Sequence, residues 1–371
     1  MTDPGPVEHV RGQVGLVLSE FTGRQRALAG SIAAEMLPAV DAVADVLAGG
    51  KRLRPAFCYW GWRGAGGAEC PGILTAAAAL ELLHASALVH DDVLDESDTR
   101  RGRPTVHRVF AARHAAEGWR GSPETFGRGT AILLGDLLLA WSDELYQGSG
   151  LDPAALSRGR PVLDVMRTEV MAGQYLDLLE QAGRGGGVAA ALRVVRYKTA
   201  KYTIERPLHL GAALASAEHA GPGSWLPGAG QAGPGSALIR GYSGYGLPLG
   251  VAFQLRDDVL GVFGDPAETG KPAGDDIRAG KRTVLAAMAR EKATAAQAAA
   301  LDRLLGDPTV GEDGIAEFRG LLTETGALAE CEAMIDRCVT EALAALGTLP
   351  APAEVTAALA GLASAATARR G

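Results

Sequence analysis

Three aspartates close an otherwise oily stretch of this chain. The run from Glu81 to His107, ELLHASALVHDDVLDESDTRRGRPTVH, begins as an apolar helical segment and ends in Asp91, Asp92 and Asp95, spaced as DDxxD. Arg100, Arg101 and Arg103 follow closely. On a helix, residues four apart stand one above the other, so Asp91 and Asp95 share a face while Asp92 turns about 100° away. Two carboxylates this close repel unless something positive sits between them. Hard oxygen ligands that leave room for water and phosphate suit Mg2+. The arginines supply forked cations that grip phosphate oxygens. Acid, metal and arginine together point to a diphosphate site beside an apolar helix.

An isolated DDxxD is ordinarily a solvated helix end. The balance shifts with a second acidic pair, Asp257 and Asp258 in FQLRDDVLGVFGD, which also closes an apolar helical run. Two such clusters face each other only if the chain folds back on itself, as a helical bundle does. GGKRLRP, with Lys51, Arg52 and Arg54 crowding ahead of Pro55, reads either as an anion site at a helix start or as a plain basic loop. His84 lies almost two turns before Asp91 and reaches toward the same cavity, whereas His90 reads as structural. Gln174 and Asp177 share a helix face turned to the cavity or to solvent. Lys198 and Lys201, three apart, read by themselves as solvated surface lysines. Asp136, inside the apolar run ILLGDLLLAW, is either a buried acceptor for an arginine or a catalytic acid.

The elements that must carry these groups read as helices. Of 371 residues, 47% are hydrophobic and only 5% aromatic, and alanine and leucine dominate, which favours helix over strand. The pattern predicts a loose leader over 1–10 and helical patterning from Val14 to Leu47, stopped by Gly49-Gly50. It then predicts a central helix over 71–95, a Gly-rich loop over 118–129 before a second apolar helix, and a long helix over 153–182. Pro207 should kink the helix that follows GRGGG. Residues 218–237 read as a Gly/Pro-rich surface loop, 238–260 as a helix, and 284–369 as alanine-rich packing helices. The expected fold is an all-α, single-domain bundle over residues 1–371. A net charge of -7 without a basic stripe excludes nucleic-acid binding. Cys58, Cys70, Cys331 and Cys338 lack CxxC spacing and read as reduced, structural thiols. Charged residues interrupt every apolar run and no signal-peptide core follows Met1, so the expectation is a cytoplasmic protein without a membrane span.

Five motifs in order then carry a resemblance: GGKRLRP at 49–55, DDVLD with TRRG at 91–102, GQYLD at 173–177, YKTA at 197–200, and FQLRDDVLGVFGD with GKPAGDD and GKRT from 253 to 283. The chain resembles the trans-isoprenyl diphosphate synthases (polyprenyl synthetases), the group containing farnesyl and geranylgeranyl diphosphate synthases. The resemblance implies helices around a deep central cavity, usually in a homodimer. It implies head-to-tail prenyl transfer, in which an allylic diphosphate ionises and isopentenyl diphosphate attacks the cation. Carried over by position, Asp91 and Asp95 look like ligands of two Mg2+ ions, with Asp92 as a supporting acid. Asp257, assisted by Asp258, looks like the ligand of a third. Arg100, Lys198 and Lys271 look like allylic diphosphate contacts, and Lys51, Arg54, His84 and Arg101 like the isopentenyl diphosphate site. Thr199 and Gln254 look placed near the ionising carbon–oxygen bond, with Gln174 and Asp177 lining the cavity.

The second acidic motif departs from the family's DDxxD, because its third place is Gly261. The first motif has no extra residues between its acids, unlike the longer spacing of bacterial short-chain members. A prenyl unit spans about 5 Å, close to one helical turn, so the residues one turn before Asp91 set the first floor of the tail pocket. These are Ser86 and Ala87, both small, which implies a product longer than C10, with C20 expected and farnesyl or longer products as alternatives. Terpene cyclases and head-to-head synthases also ionise allylic diphosphates, but neither needs Lys51, Arg54 and the Arg100-Arg101 pair. A non-catalytic partner subunit would have lost such residues, and a purely structural bundle leaves the ordered motifs unexplained.

Overall fold

The computed structural model describes residues 6–183, 186–217, 235–264 and 274–367. The first half is α1 (Pro6–Ile32), α2 (Leu37–Leu47), α3 (Leu53–Gly64), α4 (Pro71–Leu94), α5 (Val106–Ala116), α6 (Pro123–Gln147) and α7 (Pro153–Ala182). The second half is α8 (Gly187–Val194), a π-helical segment (Val195–Glu205), α9 (Arg206–Ala215), α10 (Gly235–Phe263) and the short α11 (Asp275–Arg278). It closes with α12 (Val284–Lys292), α13 (Ala295–Leu304), α14 (Glu312–Glu324), α15 (Ala327–Gly347) and α16 (Ala353–Thr367). The all-α expectation is met. The one sheet among the described residues is a two-stranded hairpin, β1 (Thr99–Arg100) on β2 (Arg103–Pro104).

Proline at the first helical positions starts α4, α6 and α7, where its missing N–H costs nothing. Ser122 and Asp152 cap α6 and α7 by accepting from Thr125 N and Ala154 N. Several boundaries differ from expectation. Residues 6–10, expected as loose leader, are the first turns of α1. Gly127 and Gly129, expected in a loop, lie inside α6. A side chain at Gly127 would meet the His107 carbonyl, so this glycine permits the close contact of α5 with α6. The stretch 218–234 lies outside the described residues, and 235–237 open α10.

The α4 helix is the axis. It is long and apolar enough to cross a membrane by composition, but 78% of that apolar window is buried inside the bundle. It packs most extensively on α6 and also against α3 and α1. Its one acid among apolar turns, Glu81, accepts from Arg52 Nη1 at 2.6 Å, which explains a buried carboxylate in an oily helix. Two apolar cores share α10. Leu238 to Leu249 join the first, with α1, α3, α4, α6, α7 and α9. Ala252 to Val262 join the second, with α12 to α15. Pro207 falls within the first turn of α9, just after the π segment, in a helical run that is unbroken from 187 to 215.

Candidate active site

The acids close α4 as their spacing predicts. Asp95 caps the helix in near-helical backbone, its N–H donating to the Asp91 carbonyl at 2.8 Å, so Asp91 and Asp95 keep one face. The hairpin then turns the chain back over the helix end. Its turn residues Arg101 and Gly102 both have positive φ, 53° and 72°, as a tight two-residue hairpin requires. This returns Arg100 to the acids: Nε donates to Asp92 Oδ1 at 2.7 Å, and Nη2 lies 3.5 Å from Asp91 Oδ2. Burial pushes the Asp92 carboxyl up, partly offset by Arg100. Burial also opposes ionisation of Asp91, but Lys198, Lys281 and Arg100 outweigh it and hold that carboxyl below its usual range.

Two lysines arrive from opposite sides. Lys198 Nζ lies 2.6 Å from Asp177 and 3.3 Å from Asp91. Lys281 Nζ lies 3.2 Å from Asp95 and 3.5 Å from Asp276. Lys198 is therefore no solvated surface lysine, and neither is Lys201, which is 5% exposed. Asp177 faces the cavity, and the neighbouring Gln174 has its Nε2 buried without a hydrogen-bond partner. Asp95 is the telling acid for a metal. Its side chain is 3% exposed, yet neither carboxylate oxygen receives a hydrogen bond of good geometry. Buried acceptors of this kind suit a metal cation. Among the described residues no three metal-ligating side chains converge. That suits Mg2+, which takes one or two carboxylates and completes its shell with water and substrate phosphate.

Across the cavity, Asp257 is exposed and Asp258 buried on α10. Thr199 Oγ1 donates to Gln254 Oε1 at 2.6 Å, and Gln254 Nε2 donates to Asp258 Oδ1 at 2.8 Å. Burial pushes Asp258 up to about 8. Thr199, Gln254 and Asp258, with Asp177, Lys198 and Lys281, bound a cavity of about 90 Å³. The Gly261 departure has a structural reason. A side chain there would run into the Asp276 carboxylate, which fills that place from α11. Asp276 and Lys281 are the functional candidates that spacing within the second motif did not reveal. Their only sequence signal was their place in GKPAGDD and GKRT. Lys271 lies outside the described residues.

The basic motifs form a second pole. Arg101 turns its guanidinium to the backbone of Gly50, joining TRRG to GGKRLRP. Arg54 Nη2 donates to Thr203 Oγ1 at 2.8 Å, and its guanidinium stacks 4.4 Å from the centre of the Tyr202 ring. His84 lies 6.3 Å from the same ring. Burial, and then the charges of Arg54, Arg101, Arg100 and Arg52, hold His84 well below its ordinary pKa, so it is neutral. Lys51 points elsewhere in this state, with Nζ donating to the Ala365 carbonyl at 2.6 Å. Arg52 is spent on Glu81 and the Leu47 carbonyl. Ser86 is buried on α4 and Ala87 is half-buried beside it. Asp136 is neither buried nor paired to an arginine: 64% exposed, it lies 3.5 Å from His90 Nε2.

Paired acids opposite lysines, with an arginine and a neutral histidine at one end of an all-helical bundle, define an enzyme built around diphosphate groups. The chain matches the polyprenyl synthetase family over residues 38–319 and belongs to it. It is 33% identical to geranylfarnesyl diphosphate synthase of Aeropyrum pernix, over 82% of this chain and 86% of that one. It is 32% identical to geranylgeranyl diphosphate synthase of Mycobacterium tuberculosis, over 80% of this chain and 75% of that one. The crystal structure of geranylgeranyl pyrophosphate synthase of Corynebacterium glutamicum, complexed with isoprenyl diphosphate and magnesium, superposes with a TM-score of 0.89. It is 42% identical and the match covers 98% of this chain and 99% of that chain. The protein is a trans-isoprenyl diphosphate synthase, a prenyltransferase.

Proposed function

We propose that the chain condenses isopentenyl diphosphate with an allylic diphosphate and releases geranylgeranyl diphosphate. The observation that carries this reading is the alternation of charge at the reacting end: Lys198 between Asp91 and Asp177, Lys281 between Asp95 and Asp276. When an allylic diphosphate enters, its oxygens compete for these lysines and for Arg100, and the acids are freed for metal. Mg2+ bound here would be held by Asp91 and Asp95 on one side and by Asp257 with Asp276 on the other, and would supply positive charge to neutralise diphosphate. The resemblance to the family implies three such ions. The carbon–oxygen bond breaks with its electron pair leaving on diphosphate. Lys198, Lys271 and Lys281 hold that charge, and Thr199 and Gln254 line the ionising carbon. At the basic pole, Arg54, Arg101 and Lys51 hold isopentenyl diphosphate, with neutral His84 completing the pocket. Its double bond meets the allylic cation, a carbon–carbon bond forms and a proton is released. Two substrates held end to end need no protein nucleophile.

Small residues at Ser86 and Ala87 leave the first floor open. The similarity to the Corynebacterium glutamicum enzyme favours C20, and the Aeropyrum pernix relative makes a five-unit product the alternative. The protein also works, on this reading, as a cytosolic homodimer. Leu133 of α6 is 69% exposed and Tyr175 of α7 is 62% exposed. Met171, Tyr175 and Leu179, four apart, form an exposed apolar stripe along α7, and Ile132 is exposed beside Leu133 on α6; a second copy covers these surfaces.

Purified protein incubated with Mg2+, isopentenyl diphosphate and dimethylallyl, geranyl or farnesyl diphosphate, with products sized by mass spectrometry, tests the reading. A ladder ending at C20 is expected. A ladder that stops at C15 or C25 moves the floor, and no consumption of isopentenyl diphosphate with any starter overturns the reaction.

A further inference from the structure

Lys198 and Thr199 sit on a π-helical segment, and something must hold that segment in its register. π-helices are rare and appear mostly as single-turn bulges at functional sites. Here the form runs over Val195–Glu205. It meets one face of α7 at three levels spaced by four residues, Glu169, Gly173 and Asp177, the last of them at the cavity. Asp177 takes Lys198 Nζ. A side chain at Gly173 would strike the Lys198 backbone, so glycine lets the two elements touch. Glu169 is the third level. Its Oε1 accepts from Lys201 Nζ at 2.8 Å and from Arg206 Nη2 at 2.8 Å, and its Oε2 accepts from Arg206 Nε at 2.6 Å. Lys201 lies in the middle of the π segment and Arg206 immediately follows it. Both are buried, at 5% and 1% exposure, and neither lines the substrate cavity.

We infer that Glu169 is a positioning residue for prenyl transfer. By clamping Lys201 and Arg206 to α7 it fixes the π register of 195–205, and so places the Lys198 ammonium and the Thr199 hydroxyl at the departing diphosphate. A bidentate carboxylate–guanidinium contact has the geometric definition such a clamp needs. Released from it, the segment relaxes toward ordinary helix. Lys198 then rotates away from Asp91, and Thr199 away from Gln254. This inference rests on the reading that Lys198 and Thr199 serve ionisation.

Glu169→Gln and the double variant Glu169→Gln/Lys201→Met test it. The double variant removes one charge of each sign and leaves Arg206 a hydrogen-bond acceptor, so it keeps the buried charge balanced. Both variants are expected to lose about 10²-fold in kcat, with the KM for isopentenyl diphosphate little changed. In a Lys198→Ala/Thr199→Ala background, Glu169→Gln should add at most about a twofold further loss, since it acts through those two residues. Amide exchange over 195–205, read without substrate, should quicken in Glu169→Gln. A folded double variant with wild-type kcat, a full multiplicative loss in the Lys198→Ala/Thr199→Ala background, or unchanged exchange protection each overturns the inference. A kcat loss that only tracks loss of folded protein also overturns it, by reducing Glu169 to a stability role. Wild-type protein that forms no product while Glu169→Gln quickens exchange overturns the reaction and leaves the clamp standing.

Discussion

Two charge clusters flank the π segment and are built on opposite plans. Behind it, Glu169, Lys201, Glu205 and Arg206 balance two negative charges against two positive ones. Ser243 Oγ donates to Glu205 at 2.7 Å, and Arg206 Nη1 donates to His209 Nδ1 at 3.2 Å. In front, Asp91, Asp92, Asp95 and Asp177 pair with Arg100, Lys198 and Lys281 at the edge of a cavity, and Asp95 keeps both oxygens without a well-formed hydrogen bond. Glu205 Oε2, like the Asp95 oxygens, has only a longer lysine contact, so the difference is one of balance. The rear cluster is neutral within the protein, while the front cluster sets four carboxylates against three cations and suits a metal ion. A buried ionic set with every partner inside the protein fixes a conformation. A set left short of partners and open to a cavity binds a ligand instead. The same residue types therefore do two jobs, and partnership decides which.

Breaking the front cluster should cost the most turnover. Asp91→Asn is expected to lower kcat by about 10²- to 10³-fold in an isopentenyl incorporation assay while leaving the melting temperature near wild type. Chelation of Mg2+ should abolish turnover of the wild-type enzyme and restore on metal addition. Breaking the rear cluster should instead cost stability. Arg206→Met leaves Glu169 and Glu205 buried without their guanidinium, a loss of about 3–5 kcal/mol by denaturant unfolding. Equal stability losses at Asp91 and Arg206 would erase the distinction.

Acid sharpens the same contrast. Burial, opposed by Glu205, lowers His209 to about 4 in the folded chain, and Arg206 donating to Nδ1 requires the neutral ring. The unfolded chain takes up that proton near pH 6.5, so this contribution is full above about pH 6.5 and is lost as pH falls toward 4, by up to about 3 kcal/mol. His209→Asn should flatten that part of the unfolding-versus-pH curve, and an unchanged slope would refute the assignment. The smallest expected effect on rate is at the tail pocket. Ala87→Phe and Ser86→Phe should shift products to shorter chains, read by mass spectrometry, with an unchanged spectrum in both removing these residues from the pocket floor.

The acidic helix was legible in the sequence because its parts are local. Asp91, Asp92 and Asp95 lie within five residues, the apolar run before them predicts the helix, and 3.6-residue periodicity fixes which acids share a face. The same holds for the long helix over 153–182, whose proline start and capping aspartate are sequence signals. The hairpin at Thr99–Pro104 was missed because its turn asks Arg101 for a positive φ, which arginine rarely adopts and no propensity announces. Lys201 was misread as a surface lysine because burial of a charge depends on a partner, Glu169, thirty-two residues away.

Sequence alone determined the helical class, the order of the motifs and the residue types they bring: paired acids, clustered arginines and lysines, and small residues one turn before the acids. Those follow from residue type and short spacing, which survive without knowledge of the fold. Only tertiary structure decided that Asp276 fills the place opened by Gly261, that Lys281 reaches Asp95, and that a π segment locked to α7 carries Lys198 and Thr199. Each of these depends on where two distant stretches of chain pack, and packing is set by the whole core rather than by any local run of residues.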